Sequence, residues 1–334
     1  MSKFTFFGKY AMFEEKNIKG DDGMDKNKVV MAGAGTMGAS LAQVYAQAGY
    51  DVALYNVSEA GLERAKHLIE VNQETLVKEG ILTEEGSRKA MASIHYTRDK
   101  ACLADCCLVV ESIVEDLEIK QGFWAEVSEL VPREALLATN TSGLSVTEIA
   151  KAVKYPERFM GQHWLNPPHL LPLCEIVVAE KTDPEKAAQM RRLLEEMGKS
   201  PVVVKDIKGF IINRIQFSLL REALYIVESG AATAEDVDTV LKAGMGLRYA
   251  ALGPFGVADF GGLDTFEKIN SYLNAELCDA KEGSKLLHSM VERGKKGVKS
   301  GAGFYDYAGE KADQAIRDRD KLYIELAKVL YFKK

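Results

Sequence analysis

His163 and Glu175 frame the stretch of this sequence with the most chemical promise. Pro167, Pro168 and Pro172 lie between them. Proline lacks an N–H and fixes φ, so it interrupts both helix and interior strand, and the chain has to turn back between the two residues. The apolar run from Leu173 to Val178 around Glu175 reads as a largely buried strand. A carboxylate buried there needs a partner, and a returning His163 supplies one. A histidine whose far nitrogen is held by a carboxylate is fixed in one tautomer and made more basic. That suits it to taking a proton from an alcohol near neutral pH. The same spacing also suits an ordinary hairpin braced by a structural ion pair.

Such a base needs an electron acceptor, and a second motif points to one. Val29 to Ala32 is a short apolar strand, followed by Gly33-Ala34-Gly35-Thr36-Met37-Gly38, an alanine-rich helical stretch to Gln47 that stops at Gly49, and a second strand, Asp51 to Tyr55. In the order strand, Gly-x-Gly-x-x-Gly, helix, strand, the glycines mark a dinucleotide site. The first permits the tight turn, the second lets backbone approach a pyrophosphate, and the third lets helix pack on strand. The helix N-terminus offers free N–H groups to the phosphates. Asn56 closes the second strand where an acid would accept the ribose hydroxyls and repel a 2′-phosphate. Asparagine still bonds a hydroxyl but carries no charge to reject phosphate, and Arg64 lies along the next helix. The expected cofactor is NAD, with NADP second.

The elements that must position these residues alternate. A helical region from Ser58 to Ala92 breaks near Gly80. Strand patterns recur at 93–97, 108–114, 135–139, 158–163, 173–178 and 201–205, separated by helical segments, which points to a mostly parallel sheet wrapped on both faces. Ligands in such sheets sit beyond the carboxyl ends of the strands. Glu115, Asp116 and Lys120 follow one strand there, and Asn140-Thr141-Ser142 follows the next. Ser145 to Glu148 reads as a capping box. Beyond Asp206 the strand pattern stops, and apolar positions repeat at helical spacing through 211–227, 234–243, 263–273, 284–293 and 313–330. The expected organisation is an extension over residues 1–27, a Rossmann-type sheet domain over 28–205 and an all-helical domain over 206–334. Asn213 sits among apolar neighbours in the first of those helices, where a buried amide needs partners. Lys295, Lys296 and Lys299 precede the glycine-rich run Ser300 to Tyr305.

Composition bounds the function. With 334 residues, 47% hydrophobic and 28% charged, the chain has the length for about two domains and the makeup of a globular protein. A net charge of -6 argues against a nucleic-acid partner. No apolar run is long enough for a membrane span. Five cysteines without Cys-x-x-Cys spacing suggest a reduced, cytoplasmic protein without a metal site. The extension carries Phe4, Phe6, Phe7, Tyr10 and Phe13 but lacks the continuous apolar core of a signal peptide.

In order along the chain stand the glycine motif, Val109 to Glu115, Asn140-Thr141-Ser142, His163-x-x-Asn166-Pro167, Glu175, Gly209 to Arg214, Gly253-Pro254-Phe255, Gly262-Leu263-Asp264 and Gly301 to Tyr305. Over about residues 27–330 this sequence resembles the 3-hydroxyacyl-CoA dehydrogenase family. The resemblance implies His163 as general base for the substrate hydroxyl with Glu175 orienting it, Ser142 and Asn213 on the substrate's oxygens, and Glu115, Lys120, Asn166 and Lys299 as cofactor contacts. It also implies a homodimer built through the helical domain and a small-molecule substrate, an acyl-CoA or a free hydroxy acid. Members acting on CoA thioesters follow the histidine with a different run. Here Trp164-Leu165-Asn166-Pro167-Pro168-His169 resembles branches that handle sugar acids, carnitine or a pyridine carboxylate. In that setting Arg248 is placed to meet a carboxylate, whereas CoA would lean on Lys66, Lys78 and Lys89. The remaining alternative, a non-catalytic NAD(H) sensor, sits poorly with the intact set of His163, Glu175, Ser142 and Asn213.

Overall fold

The computed structural model describes residues 25–331; the expected aromatic-rich extension lies, through residue 24, outside the described residues. Contacts divide the chain into two compact units, one through Ile211 together with the chain's end from Ala327, the other Ile212–Leu326.

The first unit is an eight-stranded sheet in the order β3-β2-β1-β4-β5-β6-β7-β8. Its strands are β1 (Asp25–Ala32), β2 (Asp51–Tyr55), β3 (Ile94–Thr97), β4 (Cys106–Glu111), β5 (Leu136–Thr139), β6 (Phe159–Trp164), β7 (Leu173–Val178) and β8 (Ser200–Lys205). Every neighbouring pair is parallel except β6 with β7. The helices between them are α1 (Thr36–Gln47), α2 (Glu59–Lys78), α3 (Glu84–Ala92), α4 (Leu117–Leu130), α5 (Val146–Ala150) and α6 (Pro184–Glu196). Strand side chains alternate between two cores. Val29 and Met31 face one that includes Leu41 and Tyr45 of α1, while Val30 and Ala32 face one that includes Trp124 and Val127 of α4. Because both faces are covered, these strands read as continuous apolar runs instead of alternating ones. Each such Val, Leu or Ile contributes about 1.5–3 kcal/mol of transfer energy.

Local signals set the helix starts. Ser58, Thr83, Asp116 and Asp183 each accept an N–H of the first turn of α2, α3, α4 and α6. The expected capping box at Ser145 is half formed. Ser145 accepts the Glu148 N–H, but the Glu148 carboxylate turns to Lys151 instead of back to the cap. Ser145 Oγ donates to Asp206 at 2.7 Å, and Asp206 also accepts the Thr147 N–H at 2.8 Å. Those bonds tie the segment after β8 to the first unit, so that unit runs past the expected boundary near 205.

The second unit holds α7 (Ile212–Glu228), α8 (Ala234–Val240), α9 (Leu247–Gly261), α10 (Leu263–Leu273), α11 (Lys285–Glu292) and most of α12 (Lys311–Leu330). Thr233 and Asp236 complete a reciprocal capping box at α8. Helix α9, which the sequence pattern left without an element, is kinked at Gly253, whose φ of 69° precedes Pro254. Proline cannot continue the bonding pattern there, and glycine tolerates the left-handed turn.

Candidate active site

The proline-rich return happens between β6 and β7. These strands pair antiparallel with His163 directly opposite Glu175. Their side chains meet, His163 Nδ1 lying 2.7 Å from Glu175 Oε2, with His163 3% and Glu175 1% exposed. Glu175 Oε1 accepts the Ile211 N–H at 2.8 Å. With both oxygens engaged the carboxylate cannot turn, and it fixes the imidazole tautomer with the proton on Nδ1, leaving Nε2 to accept a proton. The Phe210 ring lies 5.3 Å from the imidazole, centroid to centroid, and walls it from water. Ile211 and Phe210 belong to the segment after β8, within the Gly209 to Arg214 run that the resemblance rests on, but neither was assigned a role from sequence. A backbone donor carries no residue-type signal.

The glycine loop joins β1 to α1 at the point where the strand order reverses, between β1 and β4. Gly33 adopts φ 108°, and a Cβ on it would lie 2.5 Å from the Ser112 carbonyl oxygen. A Cβ on Gly38 would lie 1.8 Å from the Gly33 carbonyl oxygen. A Cβ on Gly35 would meet nothing within 4 Å, and Gly35 and Thr36 are exposed. So two glycines are required by protein contacts, while the middle one faces open space of the kind a pyrophosphate needs to approach the backbone. No side chain caps α1 at Gly35, which leaves its first N–H groups for an anion. Ala34 and Met37 line the same loop, half-buried. Asn56, at the end of β2, accepts the Ala34 N–H at 3.4 Å and donates to the Ser58 carbonyl at 2.9 Å, so it also stitches the loop to the start of α2.

Beneath the carboxyl edge sits a buried polar cluster centred on Glu111. It accepts from Lys120 Nζ at 2.5 Å, Thr139 Oγ1 at 2.6 Å, Trp124 Nε1 at 3.2 Å and the Ile113 N–H at 2.9 Å. Lys120, expected as a cofactor contact, is fully buried and spends its ammonium on Glu111 and the Asn140 carbonyl. Its remaining link toward the surface is Glu115 at 3.5 Å. Glu115 accepts Thr141 Oγ1 at 2.5 Å and the Ser142 N–H at 3.0 Å, so it holds the turn that presents Ser142. Asn140 donates to Ser112 Oγ at 3.2 Å and accepts the Trp164 N–H at 3.5 Å, which joins the ends of β4, β5 and β6. Asn166 is exposed at the start of the β6–β7 loop. Glu111, Asn140 and Thr141 were not assigned roles from sequence, although a lone acid closing the apolar run Cys106–Glu111 was a usable signal. Asn213 and Lys299 stand in the second unit. Asn213 accepts from Gln216 Nε2 at 2.7 Å on α7, and Lys299 is exposed in a 3-10 turn.

A sheet with a glycine cradle at its switch point and a carboxylate-held histidine at its carboxyl edge defines a nicotinamide-linked dehydrogenase acting on an alcohol carbon. The models of the 3-hydroxyacyl-CoA dehydrogenase NAD binding domain and C-terminal domain match residues 28–207 and 209–307. The chain belongs to the 3-hydroxyacyl-CoA dehydrogenase family. It is 39% identical over 281 residues to a probable 3-hydroxybutyryl-CoA dehydrogenase of Deinococcus radiodurans, covering 84% of this chain and 100% of that one. It is 33% identical over 304 residues to 5-formyl-3-hydroxy-2-methylpyridine 4-carboxylate 5-dehydrogenase of Mesorhizobium japonicum, covering 90% and 97%. A crystal structure of an enzyme with that activity, an NAD+-dependent dismutase, superposes with a TM-score of 0.86 at 32% identity, covering 92% of this chain and 100% of that one. The (S)-3-hydroxybutyryl-CoA dehydrogenase of Ralstonia eutropha superposes with a TM-score of 0.71 at 30% identity, covering 85% and 100%.

Proposed function

We propose that this protein oxidises the secondary alcohol of a 3-hydroxyacyl-CoA to the ketone, and runs the reverse, with His163 as general base. The carrying observation is the buried 2.7 Å bond from His163 Nδ1 to Glu175, whose second oxygen is held by the Ile211 N–H. The alcohol proton passes to Nε2, and Glu175 stabilises the imidazolium that forms. Bound NAD supplies the two-electron acceptor for the alcohol carbon. The Gly33–Gly38 loop, the start of α1 and Asn56 hold it, and the low exposure around His163 keeps water from the proton-transfer step. Ser142, on the turn held by Glu115, steadies the substrate oxygen. Asn213 is assigned to the substrate, and Glu115, Lys120, Asn166 and Lys299 to the cofactor, by the family pattern, with Lys120 acting from beneath through Glu115. Several relatives bear the name 3-hydroxybutyryl-CoA dehydrogenase, which supports a short acyl-CoA. Exposed Lys66 and Lys78 on α2 support a CoA footing, while Lys89 is paired with Glu85.

A second reading, the same chemistry on a free carboxylate, is favoured by the His163 to His169 run and by the 0.86 superposition on the pyridine-carboxylate dehydrogenase. Arg248, exposed on α9, supplies a guanidinium for such a carboxylate. NADH oxidation followed with acetoacetyl-CoA, free acetoacetate and 5-formyl-3-hydroxy-2-methylpyridine 4-carboxylate separates the readings. His163→Ala is expected to lower the rate with whichever compound reacts by about 10²–10⁴-fold, with NADH affinity within about threefold by fluorescence titration. A His163→Ala variant that turns over like wild type would remove the base from the proposal.

The apolar faces of the second unit support a homodimer. Phe255 is 86% and Phe260 84% exposed, and Ile215, Phe217 and Tyr272 are also exposed. A face of that kind marks a protein contact. No helix among the described residues is long and apolar enough to cross a membrane. The buried Cys106 and Cys174, both free thiols, support a cytoplasmic setting.

A further inference from the structure

Lys199 lies between α6 and β8, is only 5% exposed, and plays no part in the steps above. Its Nζ donates to the Pro168 carbonyl at 2.8 Å and the Leu171 carbonyl at 3.4 Å. The same ammonium lies 5.7 Å from the centroid of the Trp164 ring. Next to it, the Ser200 N–H donates to the Pro172 carbonyl at 2.9 Å. The turn from α6 into β8 therefore grips residues 165–172, the loop that leaves β6 one residue after His163 and enters β7 two residues before Glu175. Burial pulls the Lys199 ammonium down to about 8, with the Cys174 thiol opposing that shift. A cation taken out of water and held by two carbonyls and an indole face is a costly way to pin a loop, because a methionine of similar length would fill the volume without the desolvation. Carbonyls that turn inward need a donor, and a flexible stem with three N–H groups reaches two of them at once.

We propose that Lys199 is a positioning residue for the dehydrogenase reaction. Its ammonium clamps the β6–β7 loop from inside the fold and so sets the placement of His163 and of the loop wall beside the alcohol site. This rests on His163 being the base, and the test reads the clamp and the catalysis separately. Leu170 and Leu171 both donate their N–H groups to the Pro167 carbonyl at 3.1 Å, so their amides report the loop directly. In Lys199→Met those two amides are expected to exchange with deuterium at least about tenfold faster than in wild type, while the amides of β1 and β4 keep their protection. In the same variant, well below its melting temperature, KM for the carbonyl compound rises about tenfold with acetoacetyl-CoA as probe, while NADH affinity stays within about twofold, because Lys199 touches nothing in the glycine cradle. Lys199→Gln keeps one donor and falls between the two; it also carries the test if the methionine variant does not fold. Unchanged exchange at Leu170 and Leu171 would overturn the clamp. Faster exchange with KM unmoved would leave Lys199 a structural residue and overturn the positioning role. If wild type reduces no carbonyl compound, the function above fails while the exchange result still decides the clamp.

Discussion

Glu175 accepts at both of its oxygens, from His163 Nδ1 at one and from the Ile211 N–H at the other. An amide cannot serve both. If Glu175→Gln keeps its oxygen on Ile211, its NH2 faces Nδ1 and drives the histidine proton to Nε2, the wrong nitrogen for a base. If it flips, two N–H groups confront each other in a buried site. Either way kcat should fall by about 10²–10⁴ while NADH binding persists; steady-state kinetics with fluorescence titration checks it, and a loss below tenfold would show that the tautomer is set elsewhere. Glu111 is a different case, since it balances a fully buried Lys120. Glu111→Gln strands that cation, and breaking a buried pair this way costs about 3–5 kcal/mol. Calorimetry should show a melting temperature lower by roughly 10 °C. A variant as stable as wild type would mean Lys120 has found the Asn140 carbonyl and Glu115 sufficient.

Within the strand-turn-helix element the glycines are not equivalent. A methyl group on Gly38 collides with the Gly33 carbonyl, which is backbone and cannot step aside, whereas one on Gly35 meets only open space. Gly38→Ala should therefore destabilise the protein by about 1–3 kcal/mol, the usual cost of overpacking. Gly35→Ala should melt within a degree or two of wild type yet bind NADH at least about tenfold more weakly, because its methyl occupies the pyrophosphate's place. Paired calorimetry and titration separate them, and a Gly35→Ala variant with wild-type affinity would displace the cofactor from this loop. This element was legible from sequence because its requirements are local, with glycine spacing and flanking apolar runs stating the geometry outright. The strands around it were legible for the same reason, most of them to within one residue at each end, although β1 begins four residues before the expected Val29 and β4 ends three residues before the expected 114. Lys120 was not, because whether a lysine one turn into a helix reaches a cleft or turns inward depends on Glu111, nine positions away. Neither was the Ile211 N–H, nor the grip of Lys199 on a loop some thirty residues upstream; such bonds depend on tertiary placement that no local pattern encodes. Helix α9 escaped because glycines and Pro254 mask its periodicity. Lys199 carries a further pH signature. Its ammonium is pulled down on folding to about 8, from an ordinary lysine value of about 10.4. The unfolded chain thus binds more protons between those values, and this group's contribution to stability rises with pH across that window and is flat below it. Cys174 on β7 is the titratable neighbour that acts on this ammonium, so the comparison is made against Lys199→Met. The wild-type melting temperature should gain on the variant between pH 8 and 10, and a constant difference would place the ammonium in water.

At the scale of the whole molecule the open question is what covers the second unit. Fully burying a phenylalanine side chain is worth about 1.5–3 kcal/mol. Phe255 and Phe260 on each of two copies make four rings, about 6–12 kcal/mol gross, which is of the same order as the roughly 4–15 kcal/mol that association costs. Those rings alone do not hold a dimer. A self-complementary contact would have to cover further exposed apolar side chains of this unit as well, such as Ile215 on α7 and Tyr272 on α10. A net charge of -6 would keep such dimers apart in solution without opposing an apolar contact at their centre. Sedimentation should therefore give twice the 36.8 kDa chain mass for wild type. Phe255→Asp with Phe260→Asp should give a single chain mass, since four carboxylates cannot be desolvated in one interface. Because the cradle for NAD and the His163–Glu175 pair both lie in the first unit, the monomeric variant should still bind NADH within about threefold of wild type. A wild-type protein that sediments as one chain at micromolar concentration would leave this face to some other partner.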